Sequence, residues 1–297
     1  MSLPNFMCIG AAKSGTTSLY DILRQHPDIF LPSFKEPHFF DITENFNQGL
    51  NWYKNTYYSR ANKDIIGDFT PSYFFDKNVP KRIHSSLGND IRFIVLLRDP
   101  VDRAYSHYLH SFRDRHESLS FEEALRNEKE RLNSYMKTGD YLSFLRHSYY
   151  HQGLYGDMTE NYFDYFSKDN FFFIHFENEF VKNRENTIIS LLDYLDLDKE
   201  IKLNFNIKSN PASKERSQRL KNFMKRKGFW RQLLKYMIPN AQTRQIIRNR
   251  IQRANIIESA SPKLDYNFKL NLFDKYFRDN IEKFEKLTKM RLGYYDN

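Results

Sequence analysis

Cysteine is almost missing from this chain. Among 297 residues only Cys8 carries a thiol, so no intrachain disulfide can staple the fold and no zinc site of several cysteines can be built. Glycine and proline number ten each, which excludes collagen-like and low-complexity chains. No apolar run approaches the roughly 18 residues of a membrane-crossing helix. The N-terminus lacks a basic stretch followed by a long apolar one. It reads as carrying no signal peptide, and a cytoplasmic setting is the default expectation. The opening Met1-Ser2-Leu3 leaves an upstream anchor open.

What is present points to a folded enzyme-sized chain. Hydrophobic residues make up 40% and charged residues 28%, enough to bury a substantial core and too apolar for disorder. The 27 Phe and 20 Tyr promise a core and clefts rich in rings. Net charge is +9. Residues 214–253 hold thirteen Lys/Arg against one acid, Glu215, so this segment exceeds the charge of the whole chain.

The pattern alternates strands and helices. Phe6–Gly10 reads as a buried strand and Thr16–Gln25 as a helix ended by His26-Pro27. Ser33–Asp41 reads as an irregular connection. Ile65–Asp68 predicts a second strand, Asn78–Leu87 a helix stopped by Gly88, and Ile91–Leu97 the clearest buried strand. Asp99 then offers an N-cap before Pro100, opening a helix to about Phe112. Ser120-Phe-Glu-Glu123 is a capping-box pattern. A helix over 148–166, a strand over 171–176 and a helix over 179–195 follow. After Asn204 no strand is expected, and the chain closes with a helix over 268–288. The expected architecture is a single α/β domain over 1–297. It has a central parallel sheet of about four or five strands flanked by helices, with a P-loop-like core in 1–203 and a helical part in 204–297.

Between the first strand and helix lies Gly10-Ala-Ala-Lys13-Ser14-Gly15-Thr16-Thr17. The glycines permit a tight turn with inward N–H groups, and the helix adds its own free N–H groups and positive dipole end. This suits a phosphate. The glycine spacing matches the Walker A pattern, but the lysine slot holds Thr16 and the only lysine is Lys13, while Thr17 keeps the hydroxyl slot. A nucleoside triphosphate would lose its main lysine contact here. A second anion site follows the strongest strand, in Leu97-Arg98-Asp99-Pro100 with Ser106 two turns into the next helix. Arginine and serine can clamp a phosphate. An Arg–Asp salt bridge at the helix start is the plainer alternative.

Two separated phosphate sites, written GAAKSGTTSL and VLLRDPVDRAYSHY, resemble those of the sulfotransferases that use 3′-phosphoadenylyl sulfate (PAPS). Lys35-Glu36-Pro37-His38-Phe39-Phe40-Asp41 is similar to the segment carrying the catalytic carboxylate in the heparan sulfate branch of that family. Phe69-Thr70-Pro71-Ser72-Tyr73 is similar to that branch's TP-x-Y segment, although Phe69 stands where a lysine is common. Residues 273–284 resemble the family's last helix, so the likeness covers nearly the whole chain.

The resemblance implies roles. Lys13 would contact the bridging oxygen and 5′-phosphate, where charge grows as the phosphate leaves. Ser14, Gly15, Thr16, Thr17 and Ser18 would hold the same phosphate, and Arg98 and Ser106 the 3′-phosphate. Glu36 would be the general base, being ionised at neutral pH with an ordinary carboxylate value of about 4.3. An extended backbone would put His38 on the same side, as a second acid/base group, an orienting group, or a ring packed beside Phe39 and Phe40. Lys35 would face sulfate or water. Lys214 would come from the loop closing over the nucleotide. Tyr155 would line the cleft or the core, and Cys8 would be an inert core residue.

The basic segment mixes cations with apolar residues. It suits peripheral contact with an anionic membrane, attraction of a polyanionic acceptor, or a solvated helical face. The expected activity is transfer of a sulfuryl group from PAPS to an acceptor hydroxyl, with a carbohydrate or glycoconjugate as the expected class. Adenosine 3′,5′-bisphosphate would be the product, and no metal would be required. Two alternatives stand beside it. A P-loop kinase or NTPase needs a lysine after Gly15. A basic module for nucleic acid or membrane leaves both anion motifs unexplained and shows no nucleic-acid-binding pattern.

Overall fold

The computed structural model describes residues 3–207, 213–215, 256–258 and 262–295, with the backbone alone for 213–215 and 256–258. Residues 1–209 and 265–297 form one compact unit, and 210–264 form another. The sequence had grouped 265–297 with the basic segment, whereas the fold returns it to the unit that holds the sheet.

The elements of the first unit run β1 (Phe6–Gly10), α1 (Thr16–Leu23), β2 (Ile29–Phe30), α2 (Thr43–Phe46), α3 (Gly49–Tyr57), β3 (Ile65–Phe69), α4 (Val79–Leu87), β4 (Arg92–Leu97) and α5 (Pro100–Arg113). Then come α6 (Phe121–Arg126), α7 (Glu128–Thr138), α8 (Tyr141–His147), α9 (Tyr155–Phe163), β5 (Phe171–His175) and α10 (Arg184–Tyr194). In the second unit a short β6 (Ser213–Glu215) pairs antiparallel with β7 (Ile256–Glu258). This corrects the expectation that strands end at Asn204. The helices expected within 214–253 lie outside the described residues. Back in the first unit, α11 (Tyr266–Tyr276) and α12 (Arg278–Thr288) close the chain. Among the described residues no helix is long and apolar enough to cross a membrane.

The five strands β1–β5 are parallel, in the order β2-β3-β1-β4-β5. The chain fills one side of β1 with β2 and β3, then crosses to the other side with β4 and β5. The switch point therefore lies between β1 and β4, and a ligand crevice opens at their carboxyl ends. Both loops read as anion sites leave from there. β1 and β4 are apolar almost throughout because helices cover both faces. Phe6, Cys8, Ile94 and Leu96 pack in one cluster with Leu19, Ile22 and Leu23 of α1 and Ile188, Leu191 and Leu192 of α10. Phe93 meets Tyr162 of α9 and Phe166 edge-on, at 5.4 and 4.8 Å between ring centres. Burial pushes the Cys8 thiol up to about 12, so it packs as an apolar group.

Local signals explain most boundaries. Asp99 accepts from the amides of Val101 and Asp102 at 2.9 and 3.0 Å, and Ser120 with Glu123 completes the capping box. Three expected helices are interrupted. The buried Glu128 carboxylate takes the amides of Tyr150 and His151 at 2.8 and 3.0 Å, so α9 starts only at Tyr155. Phe176–Val181 form a wide turn before α10. Phe277 leaves helical geometry to bury its ring, which separates α11 from α12.

The C-terminal helices dock where the chain leaves no room. A Cβ on Gly156 would lie 2.4 Å from the Asn280 carbonyl oxygen of α12, and the Gly156 amide donates to Asn280 Oδ1 at 2.6 Å. Lys283 reaches Asp157 and Glu160 at 2.7 and 2.6 Å. Beyond α12, the Tyr294 hydroxyl donates to the Leu97 carbonyl at 3.2 Å and that of Tyr295 to Asp99 at 2.7 Å. The chain end thus braces the turn that carries Arg98. Because the neighbour of Gly156 is backbone, Gly156→Ala is expected to destabilise the protein by about 1–3 kcal/mol. A urea midpoint that falls at unchanged slope would show it.

Candidate active site

The loop after β1 is shaped by Gly15. Its φ is 87°, and a Cβ there would lie 2.8 Å from the Phe176 ring, so glycine is required on both counts. Gly15 is also the N-cap of α1 and offers no side-chain acceptor, which leaves the first amides of the helix available to a ligand. Ser14 Oγ is buried with no hydrogen-bond partner. Thr16 and Ser18 are buried on α1, and Thr17 is partly exposed.

Arg98 joins the second motif to this loop. Its Nη1 donates to the Lys13 carbonyl at 3.1 Å and its guanidinium lies over the Phe176 ring at 5.3 Å. Its Nε is buried without a partner. The Tyr155 hydroxyl donates to the Arg98 carbonyl at 2.8 Å. Tyr155 is thus buried and positions the turn. Lys13 adopts φ 71°. Burial, joined by the neighbouring Arg113 and Arg98 cations and opposed by Glu36 and Asp114, lowers its ammonium to about 8. An anion at this point would relieve that repulsion.

Ser106 is half-buried on α5. It shares a helical stripe with His110 and Arg113 at i+4 and i+7. Burial and then the Lys13 charge lower His110 to about 4, so this stripe lies within electrostatic reach of the loop. No hydrogen bond joins Ser106 to Arg98.

The 35–41 segment closes over the same loop. Lys35 Nζ donates to Glu36 Oε1 at 2.9 Å and to the hydroxyls of Thr16 and Thr17 at 3.4 and 3.2 Å. It therefore faces the loop. Glu36 and His38 both adopt left-handed backbone, φ 65° and 51°, on either side of Pro37. The expected extended backbone is replaced by this strained one, yet the side chains still meet, His38 Nε2 lying 3.7 Å from Glu36 Oε2. Such φ values cost roughly 1–3 kcal/mol each and persist only where surrounding contacts fix them.

Those contacts are dense. His38 Nδ1 sits 2.8 Å from buried Asp41 Oδ2, which also accepts from Ser72 Oγ at 2.5 Å. Tyr57 donates to the Pro37 carbonyl at 3.2 Å and Asn45 to that of His38 at 2.8 Å. Arg82 donates to the Phe40 carbonyl at 2.8 Å. For Glu36, burial raises the carboxyl value, but hydrogen bonds and charge from His38 and Lys35 outweigh it and hold it at about 2. For His38, burial favours the neutral ring, but Asp41 and Glu36 outweigh it and raise it to about 10. At neutral pH the pair is carboxylate and imidazolium.

The fold thus gathers Lys13, Ser14, Gly15, Thr16, Thr17, Arg98, Glu36 and His38 around one loop. Of Lys214 only the backbone in β6 is described, and it belongs to the other unit. The sequence did not single out Asp41 and Ser72 as functional. The one signal for them was the i, i+3 spacing of His38 and Asp41 and the neighbouring TP-x-Y segment. Among the described residues no group of three or more His, Cys, Asp or Glu side chains is arranged to hold a metal ion.

A family model for the sulfotransferase domain matches residues 3–284. Heparan sulfate glucosamine 3-O-sulfotransferase 3B1 of Mus musculus is 40% identical over 120 residues, covering 40% of this chain and 30% of that protein. Heparan sulfate glucosamine 3-O-sulfotransferase 5 of Homo sapiens is 35% identical over 106 residues, covering 36% of this chain and 30% of that protein. The chain therefore spans about 30% of the length of these curated relatives. The crystal structure of a sulfotransferase from Alicyclobacillus acidocaldarius superposes with a TM-score of 0.69 at 23% identity, over 99% of this chain and 98% of that one, a likeness of fold. With the family model covering nearly all of a chain whose loop, switch point and sheet order are those described above, this protein belongs to the sulfotransferase family.

Proposed function

We propose that this chain transfers a sulfuryl group from PAPS to a hydroxyl on a carbohydrate. The observation that carries this reading is the Lys35 bridge, which ties an ionised Glu36 to the hydroxyls of the anion loop. The acceptor class is supported by the KEPHFFD segment and by relatives whose names specify heparan sulfate glucosamine.

The residues fit the donor. Ser14 Oγ and Arg98 Nε are buried polar atoms without partners, and Lys13 is a cation crowded by other cations. Ser14 to Ser18 and Lys13 would hold the 5′-phosphate, and Arg98 with Ser106 the 3′-phosphate. Lys214 is assigned to the nucleotide on sequence resemblance alone. When bound, the donor supplies the sulfuryl group and a phosphate that gains negative charge as it leaves. Lys13 meets that charge, which favours the transition state over the ground state. Glu36 accepts the proton of the acceptor hydroxyl. His38, held by Asp41 and Ser72, keeps the Glu36 carboxylate in place. Lys13, Arg98 and Lys35 supply the positive charge, so the reading calls for no metal.

Calorimetry should show magnesium-independent binding of adenosine 3′,5′-bisphosphate and weak binding of ATP. A preference for magnesium ATP would refute the donor assignment. Arg98→Ala should weaken bisphosphate binding by about 2–5 kcal/mol, as for one partner of a buried charge pair. In turnover assays with a heparan sulfate oligosaccharide, Lys13→Ala should lower kcat by about 10²–10³. Glu36→Gln should lower it by about 10²–10⁴ with bisphosphate affinity unchanged.

A pH dependence follows from Lys13. The free protein loses this charge above about 8, whereas the bound anion favours the ammonium. Binding should then take up a proton above that pH and none just below it, while the ligand's phosphates stay ionised above about pH 7. The dissociation constant should be flat between about pH 7 and 8, where the ligand's phosphates (second pKa about 6) are ionised, and rise above that by up to about tenfold per unit. Calorimetry in buffers of different ionisation enthalpy reads the proton directly.

A further inference from the structure

Beneath the strained 35–41 segment lies a second carboxylate that the reaction does not use. Asp68, the fourth residue of β3, is completely buried. Its Oδ1 accepts from Thr70 Oγ1 at 2.6 Å, and its Oδ2 accepts from the Tyr53 and Tyr73 hydroxyls at 2.5 and 3.3 Å. Burial pushes its carboxyl up to about 6, against the hydrogen bonds from Thr70 and Tyr53. No cation is hydrogen-bonded to it. A carboxylate held this way normally costs stability.

Both tyrosines lead to the catalytic segment. The Tyr73 hydroxyl, while donating to Asp68, accepts from the backbone amides of Phe39 and Phe40 at 2.9 and 3.3 Å. A hydroxyl that donates to a carboxylate is a better acceptor, so the two sets of bonds reinforce each other. The Tyr53 ring stacks on Phe39 with centres 4.3 Å apart and planes 11° apart, and its own hydroxyl is fixed by Asp68. Phe39 and Phe40 directly follow His38 and are completely buried. They fix the point from which the left-handed His38-Pro37-Glu36 turn springs.

We propose that Asp68 is a positioning residue for the reaction, acting through Tyr73 and Tyr53 to hold Glu36 and His38 over the phosphate loop. This rests on the assignment of Glu36 and His38 above. Tyr58 supplies a control. It is equally buried and its hydroxyl lies 3.2 Å from that of Tyr53, but it has no hydrogen bond to the 35–41 segment.

The test compares Tyr73→Phe and Tyr58→Phe, each the loss of one buried hydroxyl at constant charge. Asp68→Asn serves as the second variant if Tyr73→Phe does not fold. In Tyr73→Phe the His38 imidazole, assigned in nitrogen NMR by its loss in His38→Gln, should titrate nearer the ordinary 6.5 than the value of about 10 expected of the native chain. Its kcat should fall at least about tenfold, as for a small misplacement of reacting groups, with bisphosphate affinity unchanged. Tyr58→Phe should retain the native titration and kcat while losing comparable stability. The proposal is overturned if His38 titrates natively in Tyr73→Phe, or if Tyr58→Phe lowers kcat as much. Should the native chain neither bind bisphosphate nor transfer sulfuryl, the function assigned above fails, and the NMR comparison still decides what Asp68 and Tyr73 position.

Discussion

The site depends on a single ammonium group. Lys35 is hydrogen-bonded at once to a carboxylate in its own segment and to two hydroxyls where the loop after β1 enters α1. Without it, the loop after β1 and the irregular segment after β2 would approach as separate surfaces. The bridge also sets the charge state. Together with His38 it keeps Glu36 ionised although burial favours the neutral acid. A carboxylate held this low is a weak base towards a resting hydroxyl. In the reaction proposed above it would suffice if the proton is lost as the new O–S bond forms, because the hydroxyl turns acidic in that step.

Around this bridge the protein gathers like charges. Lys13 feels Arg113 and Arg98 as well as burial, and Ser14 Oγ and Arg98 Nε stay buried without partners. Such an arrangement costs stability unless an anion completes it. The same economy explains the backbone. Lys13, Glu36 and His38, assigned to the chemistry from the sequence, all have φ between 51° and 71°. Strain at functional residues is tolerated where the surroundings over-determine them, and here tyrosine hydroxyls, Asn45 and Arg82 supply that support.

Much of this was legible in the residue order. Short apolar runs located β1, β3, β4 and β5, and Asp99-Pro100 and Ser120-to-Glu123 marked helix starts that the fold keeps. The glycines at 10 and 15 with Lys13 marked the turn between β1 and α1. β2 was missed because two residues carry no period. The helix interruptions near 150 and 277 were missed because they arise from partners far away, the Glu128 carboxylate and a buried Phe277 ring. A local pattern cannot report a competitor brought in by folding.

The sequence by itself determined the class of the sheet and the chemical types at its switch point: a lysine-bearing glycine loop, an arginine after the strongest strand, and an acid and a histidine beside one proline. These are local, since strand burial and turn chemistry are fixed by neighbours within a few residues. Tertiary structure alone decided what each group does. It turned Lys35 to the loop, Asp41 to His38, and Asp68 through Tyr73 to the Phe39 and Phe40 amides. The physical reason is that charge state and backbone strain depend on burial and on partners as far as 85 residues away in the chain, which only the packed chain brings within hydrogen-bond distance.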